Sequence, residues 1–284
     1  MIVPFLSIVT ISFNQAKFLR QTIESVLSQK PDDVEYIVVD PGSTDGSREV
    51  LSSYGNAIDH LILEPDEGPA DGLNKGFALA TGRVGYFLNS DDFLLPGSVA
   101  RMRALWQHHI YTDLMLCGGW MVDASGQPLR ELPATNVSVG KLLDGRASLV
   151  QQGMSFRMDR FHATGGFNKA NRTCWDYELL CDLVHRGAKT KVVADRIGAF
   201  RIHETSITSG AGGSIHAARY AGDIDRIYRK MTNRPVGSVI RCRRYIGPVM
   251  KYLGNPGLAL DQVRRRLPGR SLADRWSADF NRLV

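Results

Sequence analysis

The stretch Tyr86-Phe-Leu-Asn-Ser-Asp-Asp-Phe-Leu-Leu-Pro96 constrains the chain most. Apolar residues run into Asn89-Ser90-Asp91-Asp92, and a second apolar group is stopped by Pro96. A buried strand that carries polar side chains out at its end reads this way. In an open α/β sheet, ligands sit outside the carboxyl ends of the strands. Two adjacent carboxylates there repel one another unless a cation or hydrogen-bond donors neutralise them. A strand followed by an Asx-type turn accounts for the same residues, so the neighbouring segments have to decide.

Phe5 to Phe13 reads as a buried first strand, rich in β-branched residues. Phe18, Leu19, Ile23, Val26 and Leu27 recur at helical spacing within Lys17 to Gln29. A second strand is expected over Val34 to Asp40, a turn over Pro41 to Gly46, a helix over Ser47 to Tyr54 and a third strand over Ile58 to Leu63. Alternation of strand and helix with short connections implies a doubly wound, mostly parallel sheet. Polar loops then follow each strand on one edge: Ser12 to Asn14, Asp40 to Asp45, Glu64 to Asp71 and Asn89 to Asp92. A helix is expected between Glu67 and Thr81, where glycines at 68, 72 and 76 point to a ligand or another backbone close by. Further on, a helix over Gly97 to His108 precedes short β segments at Met115 to Val122, Pro128 to Pro133 and Val150 to Met158. A helix at Trp175 to Arg186, a strand at Lys189 to Ala199 and a polar loop from Arg201 to Thr208 follow.

Composition excludes several classes. No run of about 18 apolar residues is present, which argues against a spanning helix, and Met1 to Ser7 is too short for a secretory signal. The four cysteines have no zinc spacing and read as reduced thiols of a cytoplasmic protein. The net charge of +6 hides an asymmetry: Arg226 to Val284 holds 14 Lys/Arg against 3 Asp/Glu, whereas the first 225 residues hold 21 against 26. No Gly-x-Gly-x-x-Gly follows the first strand, and no P-loop or Gly-x-Ser-x-Gly occurs.

Ser7 to Asn14, Ile37 to Gly46, Glu64-Pro-Asp-Glu-Gly68, Asn74-Lys-Gly76 and Leu88-Asn-Ser-Asp-Asp92 occur in that order, followed by Gly165-Gly-Phe167, Trp175-Asp-Tyr-Glu-Leu179 and Arg201-Ile-His203. As a set, over residues 5 to 208, they resemble the GT-A glycosyltransferases, in particular the large inverting family two. The resemblance implies a GT-A fold over 1–210, with 211–284 as a basic, mostly helical extension. It makes Asp92, with Asp91 and His203, the holder of Mg²⁺ or Mn²⁺, and Asp91 a contact of the donor ribose. Ser12, Asn14 and Asp40 would hold base and ribose; Asp66, Asn74 and Lys75 would line the donor pocket; Arg201 would close over the diphosphate. Asp176 matches the family's catalytic base, taking the acceptor hydroxyl's proton as oxygen attacks the anomeric carbon. The chain departs from the commonest pattern at Pro41, where many relatives have a second carboxylate, and at Trp175, where an acidic residue is frequent. The implied donor is a UDP, GDP or dTDP sugar, and the acceptor a glycan or lipid-linked hydroxyl.

Two other functions use the same features. A sugar-nucleotide pyrophosphorylase needs a Gly-rich basic loop after the first strand, and Ser12-Phe-Asn-Gln15 is not one. A non-catalytic nucleotide-sugar-binding protein would keep the donor residues without needing Asp176. In the tail, Arg241-Cys-Arg-Arg244 and Arg264-Arg-Arg266 flank Tyr245 to Leu260, with Arg275-Trp276 and Phe280 beyond. Basic residues interleaved with apolar ones fit an anionic membrane surface on the cytoplasmic side, or a basic face packed on the protein itself. No nucleic-acid module is present, so no nucleic-acid partner is expected.

Overall fold

The computed structural model describes residues 4–147, 149–204, 213–237 and 272–281. The strands are β1 (Leu6–Ile11), β2 (Val34–Val39), β3 (His60–Ile62), β4 (Val84–Asn89), β5 (Phe93–Leu94), β6 (Leu114–Val122), β7 (Pro128–Leu132), β8 (Met154–Arg157) and β9 (Thr190–Arg201). The helices are α1 (Ala16–Leu27), α2 (Ser47–Ser52), α3 (Pro69–Leu79), α4 (Ser98–His108), α5 (Val139–Leu143), α6 (Met158–Thr164), α7 (Trp175–His185), α8 (Gly213–Thr232) and α9 (Leu272–Asn281). Strand order is β3-β2-β1-β4-β8-β6-β9-β5, with β7 on the flank of β6. Pairing is parallel from β3 to β4 and again between β6 and β9, whereas β8, β5 and β7 run antiparallel to their neighbours.

The first strands are apolar on both faces because both faces are covered. Ile8, Tyr36, Val38 and Leu88 point toward Leu19, Ile23 and Val26 of α1 and Val99, Met102 and Trp106 of α4. Their neighbours Val9, Ile37, Val39 and Phe87 pack with Leu73 and Phe77 of α3, Phe161 of α6 and Leu179 of α7. The short helices α5 and α6 go beyond the elements that the sequence predicts. The segment at 150–158 begins as a 3₁₀ turn, Gln151–Gly153, before β8.

One glycine in α3 is explained by close approach. A Cβ on Gly76 would stand 2.4 Å from Val9 Cγ1 and 3.2 Å from Val39 Cγ2. Both are β-branched strand residues with little rotamer freedom. Gly76→Ala gains about 1 kcal/mol of helix propensity, but overpacking costs about 1–3 kcal/mol. A net loss of roughly 1 kcal/mol is expected, read as a lower urea midpoint at unchanged slope.

The packing does not stop at residue 210. Ile224, Ile227, Tyr228 and Met231 of α8 are buried in the same cluster as Val9 and Leu179. At the far end, α9 lies on the sheet beside β7. The Trp276 ring meets Trp120 edge-on at 5.2 Å, Trp120 Nε1 donates to Asp279 at 2.9 Å, and Arg275 Nε donates to Glu131 at 2.7 Å. Arg275 and Trp276, which the sequence offered to a membrane, are therefore engaged by the domain. The basic groups at 241–244 and 264–266, and the segment between them, lie outside the described residues, as do residues 205–208. Among the described residues no helix is long and apolar enough to cross a membrane. Cys117, Cys174 and Cys181 are buried free thiols whose pKa values burial pushes up to about 12.

Candidate active site

The parallel register sets Ile11 level with Val39 on one side and Asn89 on the other. The loops after β1, β2 and β4 therefore leave the sheet together, as the polar strand ends predict. The first two are tied to each other. Asn14, at φ 53°, accepts from Thr44 N at 2.9 Å, and its own N–H donates to Ser43 Oγ at 2.8 Å. Gln15 N donates to Ser47 Oγ and Ala16 N to Asp45 Oδ2. Asp40 is fully buried and accepts from the N–H groups of Gly42 and Ser43, from Ser43 Oγ at 2.6 Å and from Arg48 Nε at 3.3 Å. It shapes the loop from inside, beside the Ser12 and Asn14 loop expected to hold base and ribose. Ser12 differs. Its Oγ is buried and has no hydrogen-bond partner among the described residues. Next to it Phe13, in the loop after β1, is 59% exposed.

The two carboxylates after β4 have opposite surroundings. Asp92 is 1% exposed; Oδ1 accepts from Arg201 N at 2.9 Å, and Oδ2 from Gln152 Nε2 at 2.7 Å and Asn89 Nδ2 at 3.3 Å. Burial and the Asp91 charge push its pKa well above the carboxylate range, and these three N–H donors pull it back. Asp91 Oδ2 instead faces His203 Nε2 at 3.0 Å. Three donors thus meet the Asp92 oxygens, and Asp91 and His203 are the pair that the structure brings together.

Arg201 also departs from expectation. It ends β9 instead of lying in a loop, and it is 1% exposed. Its guanidinium donates to Asp91 O at 2.7 Å, Ala124 O at 2.9 Å and Gln21 Oε1 at 2.5 Å, and stacks near the Phe18 and Phe93 rings. It braces the Asp91-Asp92 turn, together with Thr22 Oγ1, which donates to Asp92 O at 2.6 Å and Ser90 O at 2.8 Å. Phe18 also packs on the His203 ring at 4.6 Å.

On the other wall, Asp66 accepts from Gly68 N, and burial, with the Asp71 charge, raises its pKa. Lys75 donates to Pro65 O and lies 4.0 Å from Asp71. Asn74 bonds Phe167 twice, Nδ2 to O and Oδ1 from N, each 2.8 Å. Its amide thereby ties α3 to the Gly165-Gly-Phe167 loop. Asp176 stands in the first turn of α7, and Oδ1 accepts from Tyr177 N at 2.8 Å. Burial raises its pKa. Sequence reasoning missed Gln152 and Phe13: a polar residue in a short apolar run has no periodic signal, and Phe13 looked like the last residue of a buried strand.

Residues 7–130 match the model of glycosyl transferase family 2. An uncharacterized glycosyltransferase of a Nostoc species is 37% identical over 105 residues, 36% of this chain and 33% of that one. A PGL/p-HBAD biosynthesis glycosyltransferase of Mycobacterium tuberculosis is 29% identical over 192 residues, 64% of this chain and 71% of that one. The chain thus spans about a third of the Nostoc relative's length. Among solved structures, a mannosyltransferase of Pyrobaculum calidifontis in complex with GDP-Man and Mn²⁺ superposes with a TM-score of 0.60 at 15% identity, over 98% of this chain and 79% of that one. Family match and strand order agree: residues 7–130 are similar to glycosyl transferase family 2, and the fold is that of the GT-A glycosyltransferases.

Proposed function

We propose that the chain transfers a sugar from a nucleoside-diphosphate donor to a hydroxyl acceptor, with inversion at the anomeric carbon and a divalent cation at Asp91 and His203. The observation that carries this reading is the Asp91 Oδ2 to His203 Nε2 separation of 3.0 Å. Two neighbouring donors on one octahedral ion with bonds of about 2.1 Å stand roughly 3.0 Å apart, so the pair fits a shared cation. A carboxylate with an imidazole suits Mn²⁺ better than Mg²⁺. When bound, such an ion neutralises charge growing on the departing diphosphate. The chain's own groups do the rest. Phe13 offers a face to the base, Ser12 Oγ an unfilled hydrogen bond to the nucleoside, and Lys75 a positive charge beside the donor. Asp176 accepts the acceptor's proton. The acceptor is a glycan or lipid-linked hydroxyl, in keeping with a relative named for PGL/p-HBAD biosynthesis.

Binding that is linked to folding raises the melting temperature with occupancy. A thermal-shift screen of UDP, GDP, dTDP and CMP sugars with and without Mn²⁺ should find one nucleotide that stabilises only with metal. No shift from any of them on folded protein would sink the proposal. With that nucleotide, Phe13→Ala should weaken binding about 10-fold, since stacking on an aromatic is worth roughly 1–3 kcal/mol per base. Titration calorimetry reads the change directly, and equal affinity would exclude Phe13 from the base site.

A further inference from the structure

The loop at 168–174, which leads into Asp176, has no strand or helix of its own, and it is gripped from behind by α8. Asp223 of α8 is 6% exposed; Oδ2 accepts from Thr173 Oγ1 at 2.6 Å and Arg172 N at 3.1 Å, and Oδ1 from Arg226 Nη1 at 2.7 Å. Arg226 Nη2 continues to Glu178 Oε2 at 3.1 Å. Glu178, 1% exposed, also accepts from Asn171 Nδ2 at 2.8 Å, Asn168 Nδ2 at 2.9 Å and Lys230 Nζ at 3.2 Å, and Lys230 reaches Asp182 at 2.6 Å. Asn171, fully buried, closes the circuit by accepting from Cys174 N at 2.9 Å and Thr173 N at 3.1 Å, which sets where α7 begins.

We infer that α8 is part of the catalytic apparatus, with Asp223 a positioning residue that fixes Arg172 and Thr173 and through them the carboxylate of Asp176. This rests on Asp176 being the base. Three arguments lead to it. A buried ion network adds little stability over an apolar packing of the same volume, but it admits fewer alternative arrangements. Ile224, Ile227, Tyr228 and Met231 already supply the apolar face of α8, so the network's distinct contribution is register: one axial setting of α8 satisfies Asp223 and Glu178 together. Lastly, both carboxylates hold their protons more weakly than usual, because their donors outweigh burial. The attachment is therefore an ionic one, aimed at the turn before the base. A base has to be held to within about 0.5 Å, and misplacement by about 1 Å can cost 100-fold in rate.

The test uses the full chain with Asp223→Asn, and Ile227→Val as a control that loosens α8 through its apolar face. Amide hydrogen exchange over residues 168–177 should quicken in Asp223→Asn and stay unchanged in Ile227→Val, although both lower the melting temperature. With GDP-mannose or a UDP sugar, Mn²⁺ and water as acceptor, kcat for Asp223→Asn should fall about 10-fold with KM for the donor within about two-fold. Thr173→Val should copy the loss and Thr173→Ser restore it, since the serine keeps the hydroxyl that Asp223 accepts from. Unchanged exchange over 168–177, or unchanged kcat, would overturn the inference; the exchange arm decides it whichever donor is used. The failure of the underlying reading looks different: turnover retained in Asp176→Asn would remove the base itself, whereas a dead Asp176→Asn beside a normal Asp223→Asn would remove only the role of α8.

Discussion

Asp176→Asn should lower sugar transfer about 1,000-fold and leave nucleotide binding unchanged. General-base catalysis contributes about 10²–10⁴-fold, and a factor of 1,000 is about 4 kcal/mol of barrier. The substitution is nearly isosteric, and an asparagine Oδ1 keeps the 2.8 Å bond from Tyr177 N. The fold should therefore survive. Burial raises the Asp176 pKa, so the ionised carboxylate is disfavoured in the folded state. Its cost to stability sets in as pH rises above the unfolded value near 3.9 and is complete above the folded one. Asp176→Asn removes that cost, and the variant should melt no lower than the parent at neutral pH. The same shift predicts a pH–rate profile whose acid limb lies above the ordinary carboxylate range, because only the deprotonated form takes a proton. An acid limb at or below about 4 would argue that another group is the base.

The second large effect separates Asp91 from Asp92. Asp91→Asn should remove stabilisation by metal and nucleotide, weakening metal binding at least about 100-fold, while the metal-free protein melts as before. Asp92→Asn should do the reverse. Its two oxygens accept from Arg201 N, Gln152 Nε2 and Asn89 Nδ2, and an amide nitrogen facing either side leaves N–H groups opposed. A buried donor left unmatched costs about 1–3 kcal/mol, so the metal-free variant should unfold at a visibly lower urea concentration. Differential scanning fluorimetry with and without Mn²⁺ reads both. If Asp92→Asn alone abolished the metal shift at unchanged stability, the division of labour would be the opposite one.

Much of this was legible in the sequence because the doubly covered strands announce themselves. Ile8 and Val9, or Val38 and Val39, are adjacent apolar residues serving opposite faces, and the polar residues after them mark one edge of the sheet. Less legible was the direction of each side chain at that edge. Asp91 and Asp92 are equivalent in composition, and only the turn geometry sends one inward to Gln152 and the other toward His203. Arg201 reads as a loop cation, yet β9 runs two residues past the expected end at Ala199 and turns the guanidinium into the protein. Asn74 fits a polar pocket equally well as a clamp on Phe167, 93 residues away. The charges of α8 read only as the start of the basic extension, because Glu178 and Asp182, their partners, lie on a different helix.

The most direct measurement is proton NMR of the sugar released from GDP-mannose or a UDP sugar in the presence of Mn²⁺, with water standing in for the acceptor. One-step displacement by a base-activated oxygen predicts that the first sugar to appear has the anomeric configuration opposite to the donor's, that release needs the metal, and that Asp176→Asn abolishes it. Release of the retained anomer, or release that Asp176→Asn leaves at its original rate, would contradict the account.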